Sequence, residues 1–169
     1  MSVFDVVRTA LAVRSYQDKE VPDEAIQRIV DAARLTGNSM NRQPWAFIVI
    51  KDKNALVELG EKLKTGPNIS QAAFAVAVVI ERTRFALSDG SRAIQSMVLT
   101  AWDEGIGSNW VGFMGPEEVK PMLGIPEDHD LLAVVPFGYP AQPTGKGQKQ
   151  RKPESDVVFG ERFGEAYTD

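Results

Sequence analysis

Along the chain the apolar positions switch between helical spacing and unbroken runs, and each switch marks an element. Residues 3 to about 13 carry apolar side chains at helical intervals. Residues 23–35 repeat the pattern more strongly, with Ile26, Ile29, Val30 and Ala33 on one stripe and Gly37 standing where a helix C-cap belongs. Residues 45–50 form an apolar run entered from polar sequence, which reads as a buried strand. A charged helix is expected over 54–63, then a second strand over 73–80 whose near-total apolarity requires cover on both faces.

In the second half, Ser88 stands where it can cap a helix running to about residue 104, with Ala93, Ile94, Met97, Val98 and Ala101 as its apolar face. Gly105 and Gly107 stop it. Residues 109–114 read as a short strand or loop, 116–123 as a short helix ended by Gly124 and Pro126, and 131–139 as a third strong strand. A basic loop punctuated by Gly and Pro covers 142–153. No repeat or linker divides the chain, so a single domain over 1–169 is expected. The tail, 154–169, carries Val157, Val158, Phe159 and Phe163. A terminal segment this apolar should be tied to another surface, a partner subunit by preference and its own domain as the alternative.

Composition narrows the function classes. A chain of 169 residues can bury about 70% of its unfolded surface in one core. With 25% charged residues, 43% apolar ones and a net charge of −4, it lacks the basic footprint of a partner for nucleic acid or anionic membrane. The absence of Cys and the single His129 exclude disulfides, thiolate nucleophiles and multi-histidine metal sites. The first residues do not form a secretory signal, and no apolar run approaches the ~20 residues of a membrane span. A cytoplasmic protein is therefore expected, with the Asn68-Ile69-Ser70 sequon unused.

Three stretches carry candidate chemistry. Lys146, Lys149, Arg151 and Lys152 place four cations within seven residues after a strand, a composition suited either to phosphate or to a solvated charged loop. Asn38, Ser39, Met40 and Asn41 precede the first strand. Their amides and hydroxyl can hydrogen-bond a polar ring edge, and Met40 is an adaptable apolar contact. Gln43, ahead of Pro44, is expected to be extended and to set the loop-to-strand transition. The stretch Gly107-Ser108-Asn109-Trp110-Val111-Gly112-Phe113 is either an ordinary helix-to-strand turn with a buried Trp or a place where glycine lets the backbone approach a ring. Gly105-Ile106-Gly107 follows a helix and lacks the third glycine of a dinucleotide fingerprint. Lys64-Thr65-Gly66 has no accompanying Ser-x-x-Lys, and His129 between Asp128 and Asp130 reads as a solvated turn residue.

Taken in order, the Arg14-Ser15-Tyr16 region, Asn41-x-Gln43-Pro44-Trp45, the 89–97 helix with Ala93 and Gln95, Trp110-x-Gly112 and Lys149-x-Arg151-Lys152-Pro153 resemble the nitroreductase family over nearly the whole chain. The resemblance implies an α+β fold, a mainly antiparallel sheet flanked by helices, in an intertwined homodimer with FMN at the subunit interface. It implies an oxidoreductase that moves electrons from NADH or NADPH through FMN to a nitroaromatic, quinone or activated alkene by a ping-pong mechanism. Its implied cofactor-binding set is Arg14, Ser15, Asn38, Ser39, Met40, Asn41, Gln43, Trp110, Val111, Gly112, Lys149 and Arg151, with no catalytic side chain. Of these, Arg14, Lys149 and Arg151 would hold phosphate. Residues 38–41 would reach the flavin from the second subunit, and the backbone N–H of Val111 or Gly112 would face flavin N5 and O4. One departure stands out: the family's Arg-Arg-Ser is here Ala10-Leu11-Ala12, which removes two donor side chains and leaves Arg8 as the nearest substitute. The chain also has little room between Ile80 and Ser88 for a lid, so an open pocket is expected. The same resemblance admits a flavin-binding or storage protein, or a dehalogenase, flavin-fragmenting or deazaflavin-dependent relative.

Overall fold

The computed structural model describes residues 1–112, 116–144 and 149–167; Phe113 and Lys146, named above, fall outside them. Strand β2 (Phe74–Glu81) is buried along its length except at Glu81. It pairs antiparallel with β1 (Trp45–Ile50), Trp45 opposite Ile80, and with β4 (His129–Gly138), Phe74 opposite Phe137. The short β3 (Gly107–Ser108) completes the order β1-β2-β4-β3, all antiparallel.

Strand alternation then sorts the core into two layers. Phe74, Val76 and Val78 face α2 (Asp23–Arg34) and α4 (Ala86–Asp103). Ala75, Ala77 and Val79 face α3 (Lys53–Lys62), the 3₁₀ turn Pro67–Gln71 and α5 (Pro116–Val119). In β4 the register slips by one residue, since Val78 pairs with Ala133 but Val79 with Leu131. The extra residue, Leu132, lets Ala133, Val135 and Phe137 join the first layer while Leu131 and Val134 join the second. Phe74 and Phe137 stack with centroids 4.9 Å apart. This is the expected α+β architecture.

The helix ends differ from the sequence expectation for reasons visible locally. Helix α1 (Val3–Thr9), whose cap Ser2 accepts from Asp5 N–H, stops short of residue 13. Beyond it Ala12 bridges to Ser108, and Val13 N–H donates to Ser108 O at 2.8 Å, which draws the chain out straight. Helix α2 ends at a right-handed Leu35, so Gly37 is not its C-cap. Helix α4 starts at Ala86 behind Phe85; Ser88 lies inside it and donates its hydroxyl to Phe85 O at 2.9 Å. Helix α3 is capped by Asp52, which accepts from Ala55 N–H at 2.9 Å. The tail folds on itself, with Phe159 and Phe163 rings 4.7 Å apart and Phe159 bridged to Ala166, and it leaves Phe163 94% exposed.

A Cβ at Gly107 would sit 2.5 Å from Val13 Cγ2 and 2.6 Å from Val13 Cβ. Gly107→Ala is therefore expected to destabilise the fold by about 1–3 kcal/mol in urea titration. Gly37→Ala, where a Cβ meets nothing within 4 Å, serves as the neutral control. Equal midpoints for the two variants would mean that the crossing of residues 12–13 over β3 is not tight.

Candidate functional site

Segments far apart in sequence converge on the outer side of α4. Trp102 Nε1 donates to Thr9 Oγ1 at 3.0 Å, which pins the end of α1 to α4. The chain then runs extended beside β3, and the Tyr16 hydroxyl donates to Val13 O at 2.7 Å. Burial pushes that phenol above its ordinary value. Between this segment, α4, residues 108–110 and residues 149 and 151 lies a cavity of about 760 Å³. That volume is in the range of small-molecule sites.

Its lining has two characters. Ile94 and Val98 from α4, Trp110, and Ala10, Leu11 and Ala12 make an apolar enclosure. Gln95, Ser108 and Asn109 add polar groups, and Asn109 is only 7% exposed. The Asn109 side chain lines the cavity beside Ser108 and Trp110. Arg8, Lys149 and Arg151 supply the charge. Lys149 Nζ donates to Val7 O at 2.6 Å, tying the basic segment to α1. Desolvation, helped by the charge of Arg151, holds the Lys149 ammonium below the ordinary lysine value.

Of the residues singled out in the sequence, Trp110, Lys149 and Arg151 meet in this cavity. Arg14 and Ser15 are exposed and lie outside its lining, with Ser15 O accepting from Ala141 N–H at 2.9 Å. The expectation for Val111 needs correction: its N–H donates to Val134 O at 3.0 Å and its carbonyl accepts from Val134 N–H at 2.7 Å, so it cannot also face a ring. Gly112 remains as the donor of that pair. The absence of a side chain there makes room for β4, since a Cβ would lie 2.9 Å from Ala133 Cα.

Asn38, Ser39, Met40, Asn41 and Gln43 form a separate group at the other end of α4 from Val98. Met40, Asn41 and Gln43 all have left-handed backbones, at φ 56°, 52° and 51°. Gln43 is therefore not extended, despite Pro44. Its N–H is held by Asn38 Oδ1 at 2.8 Å, while its carbonyl accepts from Trp45 N–H at 2.8 Å. Left-handed non-glycine residues cost on the order of 1–3 kcal/mol each and persist only where surrounding contacts enforce them. Asp89 anchors the start of this loop at Ser39. This carboxylate is 1% exposed and accepts from Ser39 N–H at 3.2 Å, from Ser39 Oγ at 3.1 Å and from the Arg92 guanidinium. Sequence reasoning assigned Asp89 no role. The available signal was an acidic residue at helical spacing from Ala86, Ala93 and Ile94, on the buried stripe of α4. Asn109 was missed as well, because nothing local marks it as buried.

A mainly antiparallel sheet with helices on both faces and a cation-bearing, apolar cavity beside one helix defines an α+β small-molecule-binding domain. The Nitroreductase family model matches residues 7–90 and 80–139. The chain belongs to that family. It is 32% identical over 154 residues to a protein of Methanothermobacter thermautotrophicus provisionally named an NADH dehydrogenase/NAD(P)H nitroreductase, covering 86% of this chain and 81% of that one. The crystal structure of a provisionally named NADH dehydrogenase/NAD(P)H nitroreductase from Bacteroides thetaiotaomicron superposes with a TM-score of 0.88 at 27% identity, over 96% of this chain and 99% of that one. A provisionally named nitroreductase from Desulfovibrio desulfuricans, crystallised in complex with FMN, superposes with a TM-score of 0.85 at 26% identity, over 96% and 98%.

Asp89→Ala removes the acceptor that organises the 38–43 loop, and is expected to cost about 3 kcal/mol in denaturant titration. Limited proteolysis read by mass spectrometry should then show faster cleavage within residues 39–43. An unchanged cleavage rate would show that the loop holds its left-handed conformation without Asp89.

Proposed function

We propose that this protein is an FMN-dependent oxidoreductase that takes electrons from NADH or NADPH and passes them to a nitroaromatic, quinone or activated alkene in ping-pong order. The observation that carries the reading is the cavity in which the Asn109 amide, an apolar lining and the cations Lys149 and Arg151 occur together. Those features fit a flat heteroaromatic ring bearing a phosphate. Family membership and the names of the relatives support the same cofactor and donors.

Lys149 and Arg151 would hold the phosphate by charge-assisted hydrogen bonds. Asn109, with Ser108 and Gln95 beside it, would meet polar atoms of the ring or ribityl chain, while Trp110, Ile94 and Val98 exclude water from the ring. Bound FMN supplies the hydride and electron transfer itself, so the chain has to bind, orient and desolvate rather than donate protons. Gly112, which does not itself line the cavity, would offer its N–H to charge developing on the ring edge.

The reading includes a homodimer. Asn38, Ser39, Met40, Asn41 and Gln43 do not line the cavity of their own protomer, and a second copy would bring them to the ring. Arg14 and Ser15 enter the proposal on the same terms. The exposed Phe4 and Phe163 are surfaces that such pairing would cover.

The test is the visible spectrum of the purified protein after incubation with FMN, followed by anaerobic NADH and then NADPH. A protein-bound flavin band that bleaches with one donor and returns on adding a quinone is the expected result. Failure to take up FMN overturns the flavin site. A bound band that persists with both donors overturns the oxidoreductase reading and leaves a flavin carrier.

A pH dependence follows from Lys149. Its charge is present below its lowered pKa and lost as the pH rises through it, ahead of the ordinary lysine value of 10.5. Affinity for FMN in fluorescence titrations should therefore begin to fall at a pH where an ordinary lysine is still charged. Affinity for riboflavin, which lacks the phosphate, should stay level; parallel curves for the two flavins would exclude Lys149 from the phosphate site.

A further inference from the structure

The side of the cavity made by Ala10, Leu11 and Ala12 offers no side-chain donor, yet an anion held only by Lys149 and Arg151 would be bound from one segment of the chain. We propose that Arg8 is the third phosphate-binding residue, standing in for the donors absent from positions 10–12 and giving the site its preference for a flavin monophosphate over an unphosphorylated flavin. The proposal rests on the flavin reading above and adds a residue and a specificity to it.

Three observations carry it. Arg8 lines the same cavity as Lys149 and Arg151. Its guanidinium is oriented: Nε and Nη2 donate to Asp5 Oδ1 at 3.0 Å and 2.9 Å, and Asp5 Oδ2 in turn accepts from Ser2 Oγ at 2.6 Å. A guanidinium has five donors in a rigid fork, so the bond to Asp5 leaves Nη1 able to donate elsewhere. Finally, Lys149 Nζ is bonded to the carbonyl of Val7, the residue next to Arg8, which brings the two cations to the same turn of α1.

The charges match the ligand. Arg8, Lys149 and Arg151 are the charged residues lining the cavity among those described, and Asp5 is the carboxylate bonded to Arg8. Three cations against one carboxylate leave an excess of two positive charges. A phosphate monoester carries −1.5 to −2 at neutral pH. Asp5 serves as the anchor for this arrangement: its hydrogen bonds from Ser2 and Arg8 hold its carboxyl below the ordinary value, so it stays ionised and keeps Arg8 in place across the neutral range.

The experiment compares dissociation constants for FMN and riboflavin, by quenching of flavin fluorescence, in the full-length protein and in Arg8→Ala and Arg8→Lys. Arg8→Ala should weaken FMN about tenfold, the low end for a charge-assisted hydrogen bond at an exposed group, and leave riboflavin within about twofold. Arg8→Lys, which keeps the charge but loses the fork, should fall between Arg8→Ala and the parent for FMN. FMN affinity unchanged in Arg8→Ala overturns the assignment. Equal weakening of FMN and riboflavin also overturns it, because a role confined to folding α1 would act on both. If the parent protein binds neither flavin, the flavin reading falls and this assignment with it, whereas FMN binding indifferent to Arg8 removes this assignment alone.

Discussion

The burial of β2 on both faces, from Phe74 to Ile80, is the constraint from which the remaining arrangement follows. A strand with no solvent-facing side needs a helical layer on each face, and the chain provides α2 and α4 for one and α3 and α5 for the other. The bulge at Leu132 serves the same end, because it re-phases β4 so that both of its halves present apolar side chains where a layer exists to receive them. Once α4 is fixed in this way, its far side becomes available. Ala93 and Met97 pack inward while Gln95 and Val98 line the cavity, so the helix that closes the core also forms one wall of the cavity.

Along that helix two different physical problems are solved. Near its start, the buried Asp89 carboxylate anchors the 38–43 loop at Ser39. Two turns further on, Ile94, Gln95 and Val98 of the same helix line the cavity. The first depends on charge kept out of water and satisfied by nearby donors; the second depends on apolar surface enclosed next to cations.

The sheet and its helices were legible because their signals are local. The runs at 45–50 and 73–80 and the stripe Ala93, Ile94, Met97 and Ala101 need no distant partner to be recognised. The cluster Lys149 and Arg151 was legible as a basic segment for the same reason. Other features depended on residues far away in sequence. The extended run after Thr9 is imposed by Ser108, and the helical pattern of residues 3–13 gives no hint of it. The left-handed Gln43 runs against the usual effect of a following proline, and it is held there by Asn38 and by the turn closed at Trp45. Val111 has its N–H taken by Val134 across the sheet, a pairing that only the fold reveals. The role of Asp89 belongs with these, since a carboxylate in sequence does not disclose whether it faces water or a loop.

The bond from Lys149 to Val7 spans 142 residues of chain. Residues from the two halves of the chain thus meet at the cavity, near the further bonds from Gln17 N–H to Tyr139 O and from Ala141 N–H to Ser15 O. A molecule bound there acts as a reversible crosslink across a loop that comprises most of the polypeptide. It adds RT ln(1 + [L]/Kd) to the native state alone. Protection of the terminal amides from exchange and the lifetime of the folded chain then rise together with ligand occupancy, and the cellular supply of the ligand becomes a determinant of how long each copy survives.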